Sequence, residues 1–289
     1  MNSLQMSTKA QWPGGKSGIV NLGNTCYLNT ALQVLSVVDD FRDLFLSERY
    51  KQSLNRSKTE LKLCKEIARL YKGMWEEDCI VQPVTFRKIF SSYNERYMGF
   101  RQHDCSEALA AILDILHIGL SYEVDIKPYG NPDCKRDNMM IKSIDIWSKT
   151  YSKEYSEIIE IFYGQFLSSV RCHECDNISY SYDPFNLLTL PINSCKTLLD
   201  CFDNFSLEEE LGEDQKMECE KCNKKCNASK RIKLWKTPKY LLISLKRFKH
   251  SFQKMNDLIV FPIHDLDIGE YCDGYDSDVS KYDLVAIGN

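Results

Sequence analysis

Hydrophobic residues along the first third of the chain recur with helical spacing. Leu28, Ala31, Leu32, Leu35 and Val38 form one stripe after Cys26, and Leu61, Cys64, Ala68, Tyr71 and Trp75 form a second. A third stripe, Leu109, Ile112, Leu113, Leu116 and Leu120, opens at Asp104-Cys105-Ser106-Glu107. That opening has the form of a capping box with a carboxylate in place of the hydroxyl. Between 121 and 157 the pattern fades, and Gly130, Asn131 and Pro132 mark a turn, so the segment is expected to be an exposed loop insertion. Beyond 158 the period shortens to two. Phe162 to Val170, Ile178 to Tyr182 and Tyr240 to Phe248 are β-branched or aromatic runs bounded by turn residues, hence strands. Helices first and strands afterwards predict an α+β fold.

Composition narrows the class. The 289 residues are 43% hydrophobic and 27% charged, enough for one large domain or two small ones. Lys and Arg number 37 against 41 Asp and Glu, a net charge of −4, which lacks the basic excess of a nucleic-acid binder. The most apolar stretch, Ala108 to Leu120, is too short to span a membrane and is interrupted by Asp114 and His117. Residues 1–17 read as a flexible polar tail without the apolar core of a secretory signal. The expectation is a soluble intracellular protein, cytoplasmic or nuclear, with neither nucleic acid nor membrane as partner.

Thirteen cysteines stand out. An odd number without a signal peptide points to thiols, metal ligands or a nucleophile rather than a disulfide scaffold. Cys172-His173-Glu174-Cys175 and Cys219-Glu220-Lys221-Cys222 are two C-x-x-C knuckles. Two tight pairs deliver four thiolates to one tetrahedral ion, so structural Zn2+ is the expected cofactor, with no open position for catalysis. Cys226, close to the second pair, is a possible substitute ligand. Cys195 and Cys201 lie between the knuckles and look unpaired.

Cys26 differs in kind. It stands where the Asn21-Leu22-Gly23-Asn24-Thr25 turn becomes a helix. The positive end of the helix dipole favours a thiolate there, and the free N–H groups of the first turn favour an oxyanion. The Asn21 amide would add a donor if the turn folds back. The plain alternative is a small apolar residue beneath a helix N-terminus.

The segment from Gly18 to Asn29 (Gly-Ile-Val-Asn-Leu-Gly-Asn-Thr-Cys-Tyr-Leu-Asn) resembles the cysteine box of the ubiquitin-specific proteases, papain-like deubiquitinating cysteine proteases. Further blocks are similar to that family's in order and content. They are Gln102 to Leu109, Phe162 to Cys175, Glu209 to Leu211, the Cys219/Cys222 pair, Leu245 to Phe248, Val260 to Pro262 and Tyr282 to Leu284.

The resemblance implies a hand-shaped fold over 18–289. Its helical thumb would cover 18–120, the insertion 121–157, zinc-tipped β fingers mainly 158–245, and part of a β palm 246–289. It implies that Cys26 attacks the carbonyl of ubiquitin's terminal glycine in isopeptide or peptide linkages, and that Asn21 donates to the oxyanion. It further implies that Gln102 and Asp104 contact ubiquitin's C-terminal tail, where a carboxylate suits arginines and peptide N–H groups. Asp104 has a second role open to it, capping its own helix. Ubiquitin and ubiquitinated proteins are the implied partners.

The family's general base is a histidine in a Gly-His-Tyr box, which would follow the Tyr282 to Ile287 strand. The expectation is that the chain stops at Asn289, before that box. None of His103, His117, His173, His250 and His264 has the motif context of a base. A thiol near its reference value of about 8.5 is only about a few per cent thiolate at neutral pH, so isopeptide turnover without an imidazole should be severely impaired. A truncated protease, a partner-supplied histidine, and a catalytically dead zinc-stabilised ubiquitin-binding module are the open alternatives.

Overall fold

The computed structural model describes residues 14–52, 60–77, 79–248, 253–274 and 280–288. Most of the expected tail, residues 1–13, and His250 lie outside them. The chain divides into two compact units.

The first unit comprises 1–122, 154–158 and 285–289. Its helices are α1 (Cys26–Ser36), α2 (Asp39–Leu46), α3 (Leu61–Trp75), α4 (Val84–Tyr93) and α5 (Cys105–Leu120). The first and third apolar stripes become buried faces of α1 and α5, with Leu28, Ala31, Leu32 and Leu35, then Ile112, Leu113 and Leu116 fully buried. Of the second stripe Cys64 and Tyr71 are fully buried but Leu61, Ala68 and Trp75 only half-buried, and the buried face of α3 runs instead through Leu63, Ile67, Leu70 and Met74. Burial drives the thiol of Cys64 up to about 12, so it serves as a small apolar side chain. The Tyr71 hydroxyl donates to Leu32 O at 3.2 Å, satisfying the polar end of a fully buried ring.

The second unit comprises 123–153 and 159–284. An antiparallel sheet orders β2 (Ile178–Phe185), β1 (Gly164–Cys172), β7 (Ala228–Lys236) and β4 (Glu209–Glu210). The remaining strands pair in twos: β3 (Leu188–Pro191) parallel to β8 (Ile243–Lys246), β5 (Met217–Cys219) with β6 (Lys224–Cys226), and β9 (Leu266–Asp267) with β10 (Lys281–Tyr282). Alternation along β1 sends neighbouring residues to opposite faces. Phe166 stacks on Phe185 at 4.1 Å within a core that includes Leu190, Leu234 and the helix α8 (Leu198–Phe205). Leu167 turns the other way, against Tyr182 and Trp235.

The segment 121–157 departs from the expected loop. It carries α6 (Lys135–Tyr151), a helix of 17 residues whose Met139, Met140 and Ile146 pack against Leu167, Tyr182 and Trp235. Its N-terminus is held by the Asp137 carboxylate, which accepts from Asp133 N at 2.8 Å and Cys134 N at 3.0 Å. Phe162, expected to begin a strand, instead ends a short helix α7 (Glu157–Phe162) that leads into β1. Cys195 and Cys201 are buried in the core beside α8. Among the described residues no helix is long and apolar enough to cross a membrane.

Candidate active site

Cys26 is the first residue of α1 and is exposed. The turn before it is built around Asn21. The Asn21 Oδ1 accepts from Gly23 N at 3.0 Å, Thr25 N at 3.2 Å and the Thr25 hydroxyl at 3.1 Å. Gly23 has φ 93° and Asn24 φ 52°, left-handed conformations that glycine and asparagine adopt most readily.

This turn has a consequence for the helix. Thr25 occupies the N-cap position, where a hydroxyl ordinarily accepts from the first turn. Here it donates to Asn21 and accepts from Leu22 N at 2.9 Å, so no side chain caps α1. No acidic residue stands in the first turn either. The helix therefore keeps its leading N–H groups and positive dipole end for an anion beside Cys26. With Oδ1 fully engaged, the Asn21 NH2 has no partner among the described residues.

Asp104 caps α5. Its Oδ1 accepts from Ser106 N at 2.7 Å, from Glu107 N at 3.1 Å and from the Ser106 hydroxyl. Only this half of the expected capping box forms, since Glu107 pairs with Arg96 at 2.5 Å. Gln102 and Asp104 are both exposed. His103 between them stands edge-on to Tyr27 at 5.1 Å and Tyr97 at 5.0 Å. Partial burial, reinforced by Arg96 and Arg101, holds its pKa below the ordinary histidine value against the opposing pull of Glu107.

Two features were invisible in the apolar pattern. Cys105 lies close enough for a charge on Cys26 to disfavour its own thiolate. Burial chiefly, then Asp104 and Cys26, pushes Cys105 up to about 11. Arg87 on α4 braces the Cys26 turn against the loop before Gln102: it donates to Leu22 O at 3.4 Å and to Gly99 O, and lies over the Phe100 ring at 4.7 Å. Asn24 Nδ2 completes the brace, donating to Phe100 O at 2.8 Å. Gly99 at φ 83° was the one local signal of that loop.

The described histidines have partners of their own. His117 Nδ1 is 2.8 Å from the Ser156 hydroxyl, His173 is 3.5 Å from Glu210, and His264 is 3.4 Å from Asp283.

In the second unit, Cys172, Cys175, Cys219 and Cys222 gather with all four sulfurs within 4.8 Å of one another. Cys172 to Cys222 is 4.0 Å and Cys175 to Cys219 is 3.6 Å, so each knuckle meets the other. Metal–sulfur bonds of about 2.3 Å in a tetrahedron demand sulfur–sulfur edges of about 3.8 Å. The cluster fits a metal ion. It joins the turn after β1 to the β5–β6 hairpin, whose register pairs Cys219 with Lys224.

A papain-like α+β fold and an exposed cysteine at a helix N-terminus define the class. The family model described as ubiquitin carboxyl-terminal hydrolase matches residues 17–289, and the chain belongs to that family of cysteine-type deubiquitinating enzymes. Human ubiquitin carboxyl-terminal hydrolase 2 is 33% identical over 287 residues, which cover 95% of this chain and 47% of that protein. Ubiquitin carboxyl-terminal hydrolase 5 of Saccharomyces cerevisiae is 32% identical over 275 residues, covering 88% of this chain and 34% of that one. The chain thus spans about half the length, or less, of these relatives. Among solved structures, the SAGA DUB module of Ubp8, Sgf11, Sus1 and Sgf73 bound to monoubiquitin contains a chain similar in fold. The TM-score is 0.69 at 23% identity, over 93% of this chain and 57% of that one.

Proposed function

We propose that this chain recognises ubiquitin's C-terminal tail and presents Cys26 as the nucleophile toward the terminal glycine carbonyl, the chemistry of a deubiquitinase. The observation that carries the proposal is the uncapped N-terminus of α1. Thr25 is diverted to Asn21, leaving the leading N–H donors of the helix that begins at an exposed thiol, and we assign the Asn21 NH2 as a further donor. Attack of the thiolate on the carbonyl carbon forms the C–S bond and places negative charge on oxygen, which these donors stabilise. Collapse expels the amine, which needs a proton, and leaves a thioester for water to hydrolyse. Asp104 and Gln102, braced to the same turn through Arg87 and His103, are assigned to the arginines and N–H groups of the tail.

Among the described residues no histidine is partnered to Cys26, so capture of an activated ubiquitin is expected to be far faster than isopeptide turnover by the residues described. In the second unit we assign the metal as a structural Zn2+ on Cys172, Cys175, Cys219 and Cys222. It would lock the hairpin to β1, and its closed four-thiolate set supplies no catalytic position.

Incubation with a ubiquitin whose C-terminus carries a thiol-reactive group tests the assignment. One adduct is expected with the wild type and with Cys105→Ala, and none with Cys26→Ala. An adduct that persists in Cys26→Ala contradicts it.

A further inference from the structure

The four-stranded sheet of the second unit carries a cleft of about 360 Å3 on the face that Leu167 shares, opposite the Phe166 core. Four of its lining residues are cations: Arg136 on α6, Arg171 on β1, and Arg231 and Lys233 on β7. Two are carboxylates, Glu208 and Asp273, so the cleft has a net charge of +2 on a chain whose net charge is −4. The register brings two of the cations together. Arg171 lies opposite Ser229 and Arg231 opposite Ser169, which makes the arginines diagonal neighbours on one face. Ile178 and Tyr180 on β2, with Met139 on α6 and Trp235 on β7, supply apolar walls.

The two carboxylates leave this arginine pair uncompensated. Asp273 pairs with Lys233 at 2.8 Å, and Glu208 accepts from the Ser229 hydroxyl. Arg231 donates through Nε to Ser206 O at 2.9 Å, which leaves its terminal nitrogens to the cleft. Among the described residues no carboxylate pairs with Arg171 or Arg231, and the Arg171 side chain has no hydrogen-bond partner. Like charges side by side on a sheet work against the fold. An anion between them reverses that repulsion. The plain alternative, a solvated charged face, accounts for the exposure of the arginines but not for their meeting over an apolar wall.

We propose that this cleft binds an acidic peptide segment of a partner protein. A carboxylate of the peptide bridges Arg171 and Arg231 through the paired N–H groups that a guanidinium presents, and an adjacent apolar side chain lies against Ile178 and Tyr180. A small metabolite suits the site less well, because such ligands are ordinarily enclosed, whereas Arg136, Arg171 and Arg231 are all exposed. Arginine clusters on an open face are a recurring way of reading acidic motifs. The cleft is built wholly within the second unit and uses none of the residues assigned to the thiol chemistry or to the metal.

Fluorescence anisotropy of a labelled hexapeptide of alternating glutamate and leucine tests this on the whole chain. Saturable binding is expected for the wild type and for Arg49→Gln, an exposed arginine in the first unit. The same peptide with glutamine in place of glutamate should not bind. Arg171→Gln and Arg231→Gln should each weaken binding at least about tenfold, the scale of losing a charge-assisted hydrogen bond. Absence of saturable binding, equal affinity for the glutamine peptide, or wild-type affinity in Arg171→Gln/Arg231→Gln overturns the proposal. Should Arg231→Gln lose its cooperative thermal transition, Arg171→Gln decides alone, since its side chain is exposed and holds no other residue. Unchanged affinity in that variant overturns the proposal.

Discussion

The imidazole of His103 meets the ring of Tyr27 edge-on, with 5.1 Å between ring centres and 70° between planes. Tyr27 follows Cys26, and His103 separates Gln102 from Asp104, so this contact ties the thiol's helix to the block assigned to the ubiquitin tail. An edge-to-face contact of this kind contributes about 0.5–1.5 kcal/mol.

Because His103 is held below its ordinary pKa, chiefly by burial, the folded state favours the neutral ring. The unfolded chain then binds the proton more readily. Stability from this group is complete above about pH 6.5 and is lost as pH falls from there through the lowered folded value. Melting temperatures from pH 7.5 to 5 should fall less steeply in His103→Gln than in the wild type. Parallel curves would contradict this account of the contact.

Asn21 separates two roles by substitution. Asn21→Ala removes the acceptor of three donors and should destabilise the first unit by about 1–2 kcal/mol. Asn21→Asp keeps that acceptor, replaces the NH2 donor with a negatively charged oxygen, and should leave the melting temperature near wild type. Both should slow capture of ubiquitin electrophiles by about 100-fold, the scale of losing one oxyanion donor. Stopped-flow rates beside thermal melts distinguish the two effects.

Asp104 yields to the same approach. Asp104→Ala should cost about 1 kcal/mol as a lost N-cap, and Asp104→Ser should restore most of it. If the carboxylate also meets ubiquitin's tail, Asp104→Ser should still weaken ubiquitin binding by calorimetry. Binding that recovers together with stability would confine Asp104 to capping.

Chelation of the proposed Zn2+ should loosen the β5–β6 end without unravelling the second unit's core. That core rests on Phe166, Phe185, Leu190 and Leu234, apart from the four cysteines proposed to hold the ion. Limited proteolysis should cut near 217–226 only after chelation, while near-ultraviolet dichroism changes little. Loss of the whole aromatic signal would place the metal at the centre of the fold.

Legibility in the sequence followed how local each signal was. The stripes of α1 and α5 are buried faces, so periodicity exposed them, whereas on α3 only Cys64 and Tyr71 of the expected stripe lie on the buried face. Helix α6 escaped because its apolar side, Met139, Met140 and Ile146, is diluted by lysines and serines and follows a Gly-Asn-Pro turn. Strand β7 alternates charged and apolar residues, but its central place in the sheet comes from pairing with β1 some 60 positions earlier, which no local pattern encodes. At the site, the cysteine box and the knuckles were contiguous motifs and therefore readable. The Arg87 brace and the proximity of Cys105 to Cys26 join separate segments, and only the folded chain brings them together.

The most direct measurement compares two reagents on the wild-type chain: ubiquitin carrying a C-terminal electrophile, and the same electrophile on a glycine amide alone, with the modified residue mapped by mass spectrometry. The account predicts modification of Cys26 by both, with the ubiquitin reagent at least about 100-fold faster at equal concentration, as expected of a reacting group positioned by binding. Equal rates, or modification of another cysteine, would show that Cys26 is an exposed thiol without a ubiquitin site built around it.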